Sequence, residues 1–248
     1  MSLPQELIDK IFSHLSLDEP QTLRNCSLVA KSWVYPSQKK LFETVCISSS
    51  THSSWADRIS PANIELLLHV RSITYTLDMA SQFHFPAYRI DSISDYLPSF
   101  HNLESLILSS IDLRSKLDIS QQVRNFSAFQ HTLASLSLWG CSISSGALTT
   151  VVNYFPNLAG LQLRAPIYRP APEPVPLLSR PLRGRLSIQL FMTKDIPVLD
   201  RLSDLPPELD ELAICGLSSR PMPYNRIVAT YAGGVKHLRL LRGVAGER

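Results

Sequence analysis

The chain of 248 residues is short of several things at once. Cysteine occurs four times, at 26, 46, 141 and 215, with no Cys-x-x-Cys pair and no histidine spacing suited to zinc, so neither a disulfide framework nor a zinc site is expected. Reduced thiols of this kind fit a cytoplasmic or nuclear protein. Nine glycines leave little material for phosphate-cradling loops, and no Gly-x-Ser-x-Gly, His-Glu-x-x-His, Walker-type or Gly-x-Gly-x-x-Gly pattern occurs. The seven histidines are dispersed. His84, between two phenylalanines, reads as a half-buried imidazole and not as a ligand. The expectation is a chain without catalytic machinery, metal or cofactor.

A strong net charge is missing as well. Against 21 acidic residues stand 24 basic ones, a formal net charge of +3, without the basic face that nucleic-acid binders carry. No basic segment followed by an apolar one opens the chain, so secretion is not supported. Residues 125–163 contain no Asp, Glu, Lys or Arg, yet Ser, Thr, Asn, Gly and Pro interrupt them every few positions and their period changes midway. That stretch reads as repeat core and not as a membrane span.

What the sequence does hold begins at "LPQELIDKIFSHL", residues 3–15. Leu7, Ile8, Ile11, Phe12 and Leu15 fall on one helical stripe, Pro4 suits the first turn, and Glu6 complements the positive end of the helix dipole. "SLDEP" supplies a turn, with Asp18 or Glu19 as cap and Pro20 opening a second helix through "QTLRNCSLVAKSW", whose face would carry Leu23, Cys26, Leu28 and Val29. "PSQKKLFETV" fits a third short helix burying Leu41, Phe42 and Val45. Three helices in so few residues enclose little, and domains near this size usually lean on disulfides, metals or a partner. Fully burying five large apolar side chains is worth on the order of 8–15 kcal/mol before association costs, so part of the stripe is expected to face another protein.

Beyond residue 60 the grammar changes and repeats. A Leu-x-x-Leu-x-Leu pattern with aliphatic replacements begins at 103, 133, 158, 209 and 235, and degenerate copies begin at 70 and 183; the successive spacings are 33, 30, 25, 25, 26 and 26. Helical patterns fill most gaps, at Ile90/Ile93/Leu97, Val123/Phe126/Phe129, Leu148/Val151/Val152/Phe155, Ile196/Leu199/Leu202 and Ile227/Val228/Tyr231. Short strands alternating with helices stack into a solenoid with a parallel sheet on one concave wall. Residues 165–182 depart from this, since six prolines occupy the helix position. Their flanking arginines either keep a loop solvated or receive an acidic partner, and a ligand for a proline-reading groove is the weaker third reading.

The ordered set Leu3-Pro4, Glu6-Leu7-Ile8, Ile11-Phe12, Leu15, Cys26-Ser27-Leu28-Val29, Lys31, Trp33 and Leu41-Phe42 resembles an F-box, the helical motif that docks on the Skp-family adaptor of cullin-RING (SCF) ubiquitin ligases. With the repeats downstream, the chain resembles F-box proteins with degenerate leucine-rich repeats that are abundant in fungi. The implied organisation is α/β (α+β overall): a three-helix F-box at 1–46, a connector at 47–59, and a repeat domain at 60–248 with the Pro-rich loop at 165–182. The connector either pivots or holds an edge strand through Val45 and Ile47 with Trp55 packed on the first repeat. The implied adaptor-binding residues are Leu3, Pro4, Leu7, Ile8, Ile11, Leu15, Leu28, Val29 and Trp33, with Phe12, Cys26, Leu41 and Phe42 packing internally. The implied function is a non-catalytic substrate receptor of an SCF ligase, cytoplasmic, nuclear or both, binding the adaptor and an unknown protein target but no nucleic acid or membrane. The alternative is a repeat scaffold that never directs ubiquitination.

Strand side chains alternate faces, so the residues between the repeat leucines form an exposed lattice. Ile107, Trp139, Gln162, Arg164 and Arg239 are the candidate target contacts on it. Trp139 beside Arg164 stands out because aromatic and Arg anchors dominate many interfaces, though a Trp lying over a repeat edge as packing has equal standing. The last strand pattern has no polar capping helix after it, which fits either an open end covered by another chain or a shortened sequence.

Overall fold

The computed structural model describes residues 3–15, 20–48, 51, 64–76, 100–113, 126–164, 167–168, 177–190, 208–216, 228–229, 231 and 235–242. Asp18, Glu19, Trp55, His84, the helical patterns at 90–97 and 196–202, and most of the Pro-rich loop lie outside the described residues.

Three helices open the chain: α1 (Gln5–His14), α2 (Pro20–Ser27) and α3 (Lys31–Phe42). Pro4 stands at the N-cap of α1, one position earlier than a first-turn proline, and its carbonyl accepts from the Leu7 and Ile8 amides at 3.1 and 3.2 Å. The second and third helices divide differently from the sequence expectation. α2 stops at Ser27 because Leu28 and Val29 close turns onto the Asn25 and Cys26 carbonyls, and Ala30 is extended (φ −157, ψ 155) before α3 begins. Trp33 therefore belongs to α3, and Pro36 sits inside that helix, buried, where its missing N–H removes one rung of the ladder. Ser37 Oγ donates to the Trp33 carbonyl at 2.6 Å, which also keeps this fully buried hydroxyl satisfied.

The bundle core is small. Ile8, Phe12 and Leu23 are buried, with Leu15, Cys26, Trp33 and Leu41 packed half-buried around them. Phe12 meets Trp33 edge to face at 5.6 Å between ring centroids, the geometry that aromatic quadrupoles favour.

α3 runs almost directly into a strand, and the sheet begins there. Eight strands, β1 (Thr44–Ser48), β2 (Ser72–Thr76), β3 (Ser105–Ser109), β5 (Ser135–Trp139), β7 (Gly160–Arg164), β9 (Arg183–Leu190), β10 (Glu208–Gly216) and β11 (His237–Arg242), form one sheet in chain order, every described pair parallel. β4 (Asp112–Leu113), β6 (Ser142–Ile143) and β8 (Ile167–Tyr168) build a second, narrower parallel sheet. Parallel neighbours in unbroken order require each connection to return to the same end, which is the path of a solenoid. The chain is thus N-terminal helices followed by a parallel-sheet solenoid, as the repeat spacing predicts. The edge strand through Val45 and Ile47 is present, paired with β2 along its whole length.

The repeat leucines fill the interior. Val45, Ile73, Leu106, Leu136, Leu161, Leu186 and Leu212 form one buried row, and Ile47, Tyr75, Leu108, Leu138, Leu163, Ile188 and Ile214 form the next. Opposite the sheet lie α4 (Ile64–Leu67), a 3-10 turn at Ser127–Phe129 and α5 (Ser145–Tyr154), whose N-cap Ser144 accepts from the Ala147 amide at 3.2 Å. The helix expected around Val123/Phe126/Phe129 is, where described, only that 3-10 turn. Phe129 and Phe155 stack at 6.0 Å between ring centroids, and Phe126 joins them in the core. Leu238 and Leu240 continue the two interior rows on β11 but are 43% and 54% exposed.

Candidate functional site

The first candidate surface is built on α1. Positions three and four apart share a helix face, and α1 divides its apolar residues into two adjacent lines. Ile8 and Phe12 turn inward and are buried, whereas Leu7 and Ile11 are 49% and 38% exposed, and Leu3, four residues before Leu7, is 47% exposed. The turn between α2 and α3 holds the most exposed large apolar pair of the bundle, Leu28 at 84% and Val29 at 67%. Single exposed leucines are ordinary on soluble proteins; a repeating ridge plus an apolar turn on a bundle this small is not. Burying what these five residues leave exposed is worth about 4–9 kcal/mol before association costs, a sufficient driving force for a tight partner.

These positions sort the sequence-derived adaptor residues by what the structure lets them touch. Leu3, Pro4, Leu7, Ile11, Leu28 and Val29 reach solvent. Ile8 does not: at 0% exposure it is a core residue that holds the ridge up from beneath, because Leu23 and Trp33 pack against its line of α1 and not against that of Leu7. Leu15 and Trp33 are half-buried against the same core. The expected face of α2 carrying Leu28 and Val29 is also corrected, since both belong to the turn that follows it.

Residues 1–48 match a family model described as F-box-like. The chain carries an F-box-like domain. Its matched span takes in the three helices and ends with β1, the first strand of the sheet. An F-box-like domain points to binding of a Skp-family adaptor within a cullin-RING assembly. No curated protein matches the chain at the level that marks a relative.

The F-box-like domain is tied to the solenoid by more than the covalent chain. The Glu43 carbonyl, just past α3, accepts from the Arg71 and Ser72 amides at 2.9 and 3.0 Å. The Tyr35 ring meets His69 edge-on at 5.1 Å. Burial, and then the nearby Lys39 and Arg71 charges, hold His69 below the ordinary histidine pKa, with Glu65 opposing.

The second candidate surface is the solvent face of the large sheet. Register sets Ile107, Ser137, Gln162, Ser187, Ala213 and Arg239 in one row across the strands, and Ser109, Trp139, Arg164, Gln189 and Cys215 in the next. All five sequence-derived target residues therefore lie on this face, Ile107, Gln162 and Arg239 in one row and Trp139 and Arg164 side by side in the other. The Arg164 guanidinium lies 5.1 Å from the centroid of the half-buried Trp139 ring, a cation–π arrangement. The indole nitrogen of Trp139 is buried without a hydrogen-bond partner. Ser137 Oγ and Gln162 Oε1 are 3.2 Å apart with the hydroxyl donating, and Arg239 and Arg185 both approach Glu211, at 3.1 and 3.3 Å.

One set of residues escaped the sequence reading. The residue before the first leucine of successive repeats reaches back to a backbone carbonyl of the repeat before: Asn102 to Leu68 at 2.9 Å, Thr132 to Leu103 at 2.8 Å, and Asn157 to His131 at 2.6 Å. Arg180, at a different position of its repeat, also reaches back, donating to the Val152, Phe155 and Pro156 carbonyls around the end of α5. The signal was present as "HNL", "HTL" and "PNL", a recurring polar residue in front of each leucine.

Among the described residues no group of three or more His, Cys, Asp or Glu could hold a metal ion, and no helix is long and apolar enough to cross a membrane. Cys26, Cys46, Cys141 and Cys215 are free thiols.

Proposed function

We propose that this chain is a non-catalytic substrate receptor of an SCF ubiquitin ligase, acting in the cytoplasm, the nucleus or both. In this reading Leu3, Leu7, Ile11, Leu28 and Val29 dock on the Skp-family adaptor, and the solenoid, a set of degenerate leucine-rich repeats, captures a protein target through its solvent face. The observation that carries the reading is the apolar ridge of α1, half exposed on a bundle too small to cover it, within a segment that matches the F-box-like family. The receptor's work is geometric. Holding adaptor and target at once raises the effective concentration of target lysines near the ubiquitin thioester carried by the ligase, with no group of this chain entering the chemistry.

The test is affinity capture of the full chain from cells under proteasome inhibition, with Leu7→Asp/Ile11→Asp and Trp139→Ala variants alongside. The wild type is expected to bring down adaptor, cullin and a ubiquitinated protein; the double variant is expected to lose adaptor and cullin and retain the protein without ubiquitin. Trp139→Ala is expected to lose the captured protein and keep the adaptor. A captured protein that is never ubiquitinated and whose lifetime is unchanged would make the chain a scaffold and refute the receptor reading.

A further inference from the structure

Near the middle of the sheet's solvent face is a cavity of about 180 Å³ whose chemistry is unusually one-sided. Gly160 forms its floor, because the row Ser105, Ser135, Gly160, Arg185 has no side chain at that one position. Ser135, Ser137, Gln162, Arg185 and Ser187 make the walls. Among the described residues, one hydrogen bond joins these side chains, from the Ser137 hydroxyl to the Gln162 amide oxygen. That bond uses the acceptor of Gln162 and leaves its amide N–H groups free, next to the unpartnered hydroxyls of Ser135 and Ser187 among the described residues. The site therefore offers several donors.

Charge points the same way. In the rows that flank the cavity, Arg164, Arg185 and Arg239 face a single carboxylate, Glu211, which Arg185 and Arg239 share. That cluster of three carries one net positive charge, and Arg164 adds another without a carboxylate partner among the described residues. The volume falls below the roughly 300 Å³ at which small-molecule pockets begin, and suits one side chain.

We infer that this cavity receives one carboxylate side chain, an Asp or Glu on an extended segment of the captured protein, held by the Arg185 guanidinium and the donors of Ser135, Gln162 and Ser187. The inference rests on the reading that the solvent face takes the target, and it names what part of a target is read there. A carboxylate carries one charge, which the Arg185–Glu211–Arg239 cluster balances; a phosphate group brings about two and calls for a second free cation within the cavity.

The probe is N-acetyl-glutamate N-methylamide, titrated into the purified full chain and followed by the Gly160 amide and Arg185 Nε–H resonances. Both signals are expected to shift and saturate, with the glutamine analogue binding at least tenfold more weakly. Gly160→Leu should abolish the shifts by filling the floor; a Cβ there lies 3.4 Å from Ser135 Oγ and 3.7 Å from the Ala134 carbonyl oxygen and Ser135 Cβ, ordinary van der Waals contacts that the backbone accommodates. Arg185→Gln, which leaves Glu211 paired with Arg239, should weaken binding at least tenfold and decides the matter if Gly160→Leu fails to fold. Equal shifts with the glutamine analogue, no shifts with the glutamate probe, or a phosphoserine analogue binding more than tenfold tighter would each overturn the assignment. Failure of the receptor reading shows separately, as a captured protein that gains no ubiquitin while the probe still binds.

Discussion

Replacing Leu7 and Ile11 together by aspartate tests the docking ridge at its centre. In the free chain these side chains are 49% and 38% exposed, so each presents somewhat less than half of its surface for a partner to cover. At about 1.5–3 kcal/mol for full burial of such a side chain, the two together contribute about 1–3 kcal/mol of transfer energy to association. The aspartates remove that and put two carboxylates into an apolar contact without counter-charge, which adds several kcal/mol more. A total above about 4 kcal/mol raises Kd by about a thousandfold or more. Neither substitution reaches the core, since Ile8 and Phe12 lie on the adjacent line, and aspartate lowers helix propensity by only about 0.7 kcal/mol or less per site. Calorimetric titration of the purified full chain with a Skp-family adaptor reads the effect, with circular dichroism confirming that the helices remain. The Leu7→Ala/Ile11→Ala pair, losing only the transfer part, should fall between wild type and the aspartates, at about ten- to hundredfold. An aspartate variant that still folds and binds within threefold of wild type would refute the assignment of the ridge.

Three further outcomes follow from the packing. Ile8→Ala should destabilise the bundle by about 2–5 kcal/mol through the cavity it leaves, and weaken adaptor binding without touching the contact itself; amide exchange in α1–α3 that stays at wild-type rates would contradict this. Gly184→Ala should cost the solenoid about 2–4 kcal/mol, because Gly184 has φ +72 and a Cβ there would overlap the Ala159 carbonyl, whereas Gly140→Ala at φ +59, with its nearest contact 3.9 Å away, should cost about 1–2 kcal/mol; the two melting temperatures make the comparison. His69 is a base whose pKa is lowered on folding, so the unfolded chain binds more protons as pH falls through about 6.5 and stability declines there. His69→Gln should flatten that acid limb in denaturant titrations at pH 7.5, 6.5 and 5.5, and an unchanged limb would assign the decline to other groups.

The ridge was legible because helical periodicity fixes which residues share a line. The same periodicity could not separate Leu7 from Ile8 as outer and inner, since the deciding fact is where Leu23 and Trp33 approach α1. The break between α2 and α3 was hidden by the continuous helix-compatible run "CSLVAKSW", and Pro36 was a misleading start signal because the helix tolerates its missing N–H. In the sheet, a period near 26 residues and strict alternation fixed the strands and the register of the solvent-face rows. The cation–π pairing of Arg164 with Trp139 follows from that register. What alternation could not announce is local irregularity: the shift between Leu209 and Glu211, where β10 holds one residue more than β9, and the positive φ of Gly184 facing Ala159. The polar residues bonding back across repeats were visible as letters but looked like ordinary surface until their carbonyl partners were placed.

Hydrogen–deuterium exchange of the full chain with and without saturating Skp-family adaptor tests the central claim most directly. Protection is predicted over residues 3–15 and 28–33, with the strands from β3 onward exchanging as in the free chain. Protection confined to those strands, with α1 exchanging unchanged, would contradict it.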